Sequence, residues 1–298
     1  MESKSQIPRI FFWSLPRTCS TVFTKLMSFV DGAQIWLEPY DCCFQTRFML
    51  DADKRTPEME GWYKSMFEAT RLVSEGKSPY SGKMHPIRTS VSYSWVKSEL
   101  EKDEPGKDFI FIKDQVPGVV DHLDAFPNNQ VPCRHVFLIR HPVRVLSGLR
   151  RYVLRRTTAD PKTYDIRTAP MYGKVWDQHY EFWKYVKEHL DPDALIVDTD
   201  DILNKPHAVL PKLFQQLNIP WKDSYLKWPK SDDIVREWKG VEDHFLRGML
   251  NGVFDQAMAS EGLLPSKPLR NLEDMSKDIQ ELSQQYMPTY EEMYAQSI

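Results

Sequence analysis

Two short segments of this 298-residue chain put cations and hydroxyls where a folded chain turns sharply. The first is Ser14-Leu15-Pro16-Arg17-Thr18-Cys19-Ser20-Thr21. It follows the apolar run Ile10 to Trp13 and precedes a stripe of Val22, Leu26, Phe29 and Val30. A strand, a loop and a helix in that order aim unpaired backbone N–H groups and the positive helix end at one point, where phosphate or sulfate binds without a dedicated cage. Arg17 adds a forked, permanent cation, and Thr18, Ser20 and Thr21 add hydroxyl donors around Cys19. The same residues also fit a plain helix cap beside a solvated loop arginine. No glycine lies between Ile10 and Asp31, so this is not the G-x-x-x-x-G-K-[ST] loop of nucleoside-triphosphate enzymes.

The second segment is Ile139-Arg140-His141-Pro142-Val143-Arg144-Val145-Leu146-Ser147-Gly148. Arg140 stands where the run Val136 to Ile139 ends, at the carboxyl edge of a strand, where α/β ligands collect. Pro142 suits the first turn of a helix, and Ser147 follows about two turns on. Three further residues have types suited to group transfer. Lys113 ends the run Phe109 to Ile112, next to Asp114; Glu38 follows Ile35-Trp36-Leu37; His85 lies in Lys83-Met84-His85-Pro86 and titrates in a useful range. Their plainer readings are a salt-bridged lysine, a loop carboxylate and a surface histidine. The run Arg150 to Arg156 reads as a solvated, basic helix face, with an extra role in holding a phosphate or an anionic acceptor as the alternative.

The elements that must hold these residues are legible as apolar runs. Ile10–Trp13, Phe109–Ile112, Val136–Ile139 and Ala194–Val197 are each apolar at consecutive positions, as strands buried on both faces are. Helical patterns at Val22–Val30, Val143–Arg156 and Val175–Leu190 separate them. The alternation predicts an α/β fold, a central parallel sheet flanked by helices, in one domain over residues 1–298. Residues 41–108 and the stretch after Pro220 are irregular and read as substrate lid and walls, with a polar helix near Leu272–Met287.

Composition sets outer bounds. With 41% hydrophobic and 27% charged residues the chain is globular, and a net charge of −3 is not that of a nucleic-acid or anionic-membrane binder. No apolar run approaches the ~20 residues of a membrane span, and the N-terminus lacks a signal-peptide pattern. Cys19, Cys42, Cys43 and Cys133 have neither C-x-x-C nor zinc spacing, so reduced thiols in a cytoplasmic protein are expected. The pattern fixes no oligomeric state.

Pro16 to Thr21 and Arg140 to Ser147 resemble, in order and context, two motifs of the sulfotransferases that use 3′-phosphoadenosine 5′-phosphosulfate (PAPS). These are the P-[KR]-[ST]-x-[ST]-T loop and the R-x-P-x-x-x-x-S-like segment. Phe111 to Pro117 is similar to the family's I-K-T-H-L-P stretch. Val197 to Pro206, continued by Leu217 to Pro220, is similar to its Y-E-D-L-x-x-D-P and F-L-G-L-P blocks. Cys19 stands for the loop's usual glycine, Val22 for a tryptophan, Thr199 for a tyrosine, and Gly148 falls at the common spacing of the second motif's serine.

The resemblance implies a P-loop-like sulfotransferase architecture. Arg17, Thr18, Cys19, Ser20 and Thr21 would hold the 5′-phosphosulfate, Arg140 and Ser147 the 3′-phosphate, and Lys113 the moving sulfuryl group. No metal is expected. The histidine of K-T-H is Gln115 here, so Glu38 takes the base position used by the family's glutamate branch, and Trp36 and Leu37 are expected to raise its pKa. His85 and Asp114 are the alternatives. The implied reaction moves a sulfuryl group from PAPS to a hydroxyl or amine of a small-molecule acceptor, leaving 3′,5′-adenosine bisphosphate (PAP). A P-loop-type kinase and a catalytically silent PAPS-binding protein are the competing readings.

Overall fold

The computed structural model describes residues 6–51, 60–81, 84–85, 90–155, 157–169, 174–231 and 233–298. Lys83, Pro86 and Arg156 lie outside the described residues. The elements run β1 (Arg9–Ser14), α1 (Ser20–Met27), β2 (Ala33–Leu37), α2 (Pro39–Leu50), α3 (Glu60–Ser74), α4 (Tyr93–Leu100), β3 (Phe109–Asp114), β4 (Cys133–Ile139), α5 (Pro142–Leu154), α6 (Val175–His189), β5 (Leu195–Asp198), α7 (Thr199–Asn204), α8 (Pro206–Gln216), β6 (Lys239–Gly240), α9 (Glu242–Leu250), α10 (Asp255–Met258) and α11 (Lys277–Tyr294). The polar helix expected near Leu272–Met287 thus begins and ends later.

All six strands form one parallel sheet in the order β5-β4-β1-β3-β2-β6. Every residue of β1 is buried, because helices cover both faces. Ile10 and Phe12 point into one core with Phe23, Phe111 and Leu138. Phe11 and Trp13 point into the other with Ile112, Phe137 and Phe182. Each such side chain contributes about 1.5–3 kcal/mol on leaving water. The outer edges are also bonded. Ile298 N–H donates to Ile196 at the β5 edge, and His85 bridges Val241 just past β6.

Chain order reverses between β1 and β4, since β1 has β3 on one side and β4 on the other. The crevice above the carboxyl ends at such a switch point is where α/β folds take ligands. Among the described residues, no helix is long and apolar enough to cross a membrane.

Candidate active site

The loop after β1 and the end of β4 meet across that crevice. Arg17 and Cys19 both take left-handed backbone angles, φ 69° and 57°. This conformation strains a residue with a Cβ and explains why a glycine would sit comfortably where Cys19 is. Cys19 precedes α1, and no side chain caps that helix, so its first-turn N–H groups face the cleft. Arg140 reaches over from β4, its Nη1 donating to Arg17 O at 3.2 Å and lying 3.3 Å from Cys19 Sγ. Arg140 and Arg144 together grip Asp200 of α7, at 3.1 and 2.8 Å. Gly148 leaves room for Arg17, since a Cβ there would stand 3.0 Å from Arg17 Cβ.

Parallel register brings the next two functional residues together. Leu37 pairs with Lys113 across β2 and β3, so Glu38 lands beside Lys113 at the sheet's carboxyl edge. The two side chains form a buried ion pair. Glu38 also receives Gln115 Nε2 at 3.3 Å and lies 3.0 Å from His244 Nε2 of α9. Burial opposes ionisation of Glu38, but the Lys113 ammonium and the His244 ring outweigh it and hold the carboxyl well below its usual range. The expectation that Trp36 and Leu37 raise this pKa is therefore corrected: β2 carries the carboxylate onto the Lys113 ammonium and the His244 ring. The upward shift belongs to Asp41, pushed to about 7 by burial and by the Glu38 carboxylate. Glu38, Asp41 and His244 lie close enough to hold a cation, yet Lys113 already occupies the charge of Glu38.

These residues line one cleft of about 520 Å³. Arg17, Cys19, Ser20, Thr21, Glu38, Lys113, Arg140 and Ser147 all face it. Thr18 does not: its side chain is buried and its hydroxyl donates to Leu15 O at 2.6 Å, as the tight turn demands. His85 lies outside the lining too. Its backbone extends the sheet edge and its ring packs on Trp95, 4.7 Å between centroids. Asp114 is buried beneath α2, accepting the N–H groups of Tyr40, Asp41 and Gln115 at 2.7–3.0 Å. Burial and Asp41 push its pKa up, so it serves that helix end and does not face an acceptor.

Of the described residues in 41–108, Gln45 lines the cleft, whereas 253–270 supply a long wall. Lys25 anchors that wall from below, its Nζ donating to the carbonyls of Ala257, Met258 and Ser260 at 2.8–3.1 Å. The sequence reading missed His244 and Arg247 of α9, and the lining residues Lys267 and Arg270; of the basic run it singled out, Arg151 lines the cleft. Charge in the cleft is thus strongly positive within a molecule of net charge −3.

No protein-family profile matches the chain, and no curated protein matches it in sequence. Solved structures do match in shape. The sulfotransferase domain of the Synechococcus PCC 7002 olefin synthase is 16% identical, with 96% of this chain and 97% of that one covered at a TM-score of 0.50. The sulfotransferase domain from the curacin biosynthetic pathway is 16% identical, covering 95% and 99% at 0.47. A mouse sulfotransferase complexed with PAP is 16% identical, covering 79% and 64% at 0.42. A central six-stranded parallel sheet with helices on both faces, aligned over nearly the whole chain, gives this protein the sulfotransferase fold.

Proposed function

We propose that the chain transfers a sulfuryl group from PAPS to the hydroxyl of a small acceptor and releases PAP. One observation carries the reading: Glu38, the carboxylate lining the cleft among its described residues, is buried against Lys113 under a rim of arginines. Such a site suits a doubly anionic donor and one proton acceptor. Arg17 and the open N–H groups of α1 hold the phosphosulfate and the charge gathering on the leaving phosphate. Arg140, with Arg144, takes the 3′-phosphate in exchange for Asp200, and Ser147 lies beside them.

Lys113 turns from Glu38 to the sulfuryl oxygens. Losing that cation raises the proton affinity of Glu38 as the acceptor hydroxyl must give up its proton. The acceptor oxygen bonds to sulfur, the sulfur–oxygen bond to phosphate breaks, and the proton passes to Glu38. His244 keeps the carboxylate oriented throughout. A reducing cytoplasm agrees with all four cysteines being free.

Thermal melting tests the donor. PAP at a hundredfold excess over its Kd stabilises the native state by about 2.7 kcal/mol, a shift of several degrees. ATP with magnesium should give far less, and labelled PAPS should pass its sulfur to an acceptor. Equal shifts with both nucleotides would overturn the assignment.

A further inference from the structure

Arg247 is the odd cation of the cleft. It lines the cavity, yet the residue is only 8% exposed. Among the described residues its guanidinium meets one neutral group, the side-chain carbonyl of Gln45. No carboxylate there stands at ion-pair distance from it, and its Nε is buried without a hydrogen-bond partner. Nearby carboxyls are engaged elsewhere. Glu38 is paired with Lys113 and lies against His244, and Asp41 accepts from Gln45; burial and Glu38 raise its pKa to about 7 against the attraction of Lys113 and Arg247, so it meets Arg247 only at a distance and only partly ionised. A guanidinium keeps its proton at any accessible pH, so it cannot escape the cost of burial by neutralising. Arg140 and Arg144 show the contrast, since both share an ion pair with Asp200.

The position of this charge is informative. His244 and Arg247 are three residues apart on α9, hence neighbours on one face, about 5–6 Å apart. Asp41 and Gln45 make the matching step on α2. Arg247 therefore stands one helical turn from the Glu38–His244 contact. Tyr152, Gly248, Val253 and Phe254 line the same cleft with largely apolar surface.

We propose that the acceptor is a small hydroxy acid whose carboxylate docks on Arg247 and Gln45 while its hydroxyl faces Glu38. This rests on the sulfuryl-transfer reading above and names its substrate class. The acid supplies the missing counter-ion, and the planar guanidinium matches a carboxylate in two parallel hydrogen bonds. The acid then lies about one helical turn along α9 from the Glu38–His244 contact, and probes with different spans between acid and hydroxyl read out the reach. A neutral alcohol of the same shape would leave the guanidinium stranded, so discrimination of roughly ten- to a hundredfold is expected.

The test uses 4-hydroxyphenylacetate, 3-hydroxybenzoate and mandelate, each beside its methyl ester, on the full chain with and without PAP. Melting shifts and sulfuryl transfer are both read. At least one acid should stabilise the protein and be sulfated with a KM at least tenfold below that of its ester. Arg247→Met should erase that preference, keep the PAP shift, and melt above the parent protein without ligands because a buried charge with no carboxylate at bonding distance is gone. Arg247→Lys retains charge without the fork and should fall between; it carries the comparison if the methionine variant does not fold. Acids and esters behaving alike, or Arg247→Met keeping the preference, overturns the proposal. Loss of the PAP shift in Arg247→Met overturns it too, assigning the residue to the nucleotide. If PAP never shifts the parent protein, the sulfuryl-transfer reading fails on its own, and the acid-against-ester shift still decides what Arg247 binds.

Discussion

Glu38 is kept ionised by a lysine that the proposed reaction draws away, so its basicity is tied to occupancy of the donor site. Glu38→Gln keeps the shape and removes the proton acceptor. PAP affinity should survive, single-turnover sulfation should fall by roughly 10²-fold or more, and stability should drop because Lys113 is stranded in the interior. His85→Asn should leave the rate unchanged, given its ring against Trp95 outside the cleft. Single-turnover measurements on both variants check this; a slow His85→Asn with a normal Glu38→Gln would reverse the assignment. Arg17, Arg140, Lys113 and Glu38 were legible in the sequence because each ends or follows an apolar run, where a polar residue is conspicuous. His244 was not. It lies 206 residues from Glu38, on a helix that buries Glu242, Asp243 and Arg247 as well, so no apolar stripe marks its inward face.

At the scale of elements, the long strands and the helices after them were readable from consecutive apolar residues, and their observed bounds differ by a few positions. The five-residue β2 carries Gln34 and the two-residue β6 is a lysine and a glycine. The apolar run of β2 is only Ile35 to Leu37 and β6 has none, so neither was read as a strand, and the sheet's order and the pairing of Glu38 with Lys113 stayed hidden. Packing between α5 and the loop after β1 makes a further prediction. Gly148→Val should thrust a branched side chain at Arg17 Cβ, displacing that arginine. PAP affinity measured by calorimetry should fall about tenfold, while the melting temperature changes little, since valine is better in a helix than glycine by only about 0.3 kcal/mol. Unchanged affinity would mean that Arg17 does not hold the nucleotide.

For the whole molecule, the buried carboxyls set the pH response. Burial first, then nearby carboxylates, raise Asp41 from 3.8 to about 7, and burial with Asp200 raises Asp198 to about 6. From about pH 4 to 7 the folded chain keeps protons that the unfolded chain has released, so stability falls as pH climbs through that window. Asp41→Asn should flatten the decline, seen as melting temperatures that converge toward one value across the range. An unaltered slope would show that Asp41 ionises normally. The bonded outer strands have a different consequence. An open strand edge is a template on which another copy can grow, the first step of β-aggregation. Here Ile298 caps one side of the sheet and His85 the other. The protein should therefore tolerate crowded, concentrated solution for as long as those two contacts hold, and fraying at either margin is where fibrous self-association would begin.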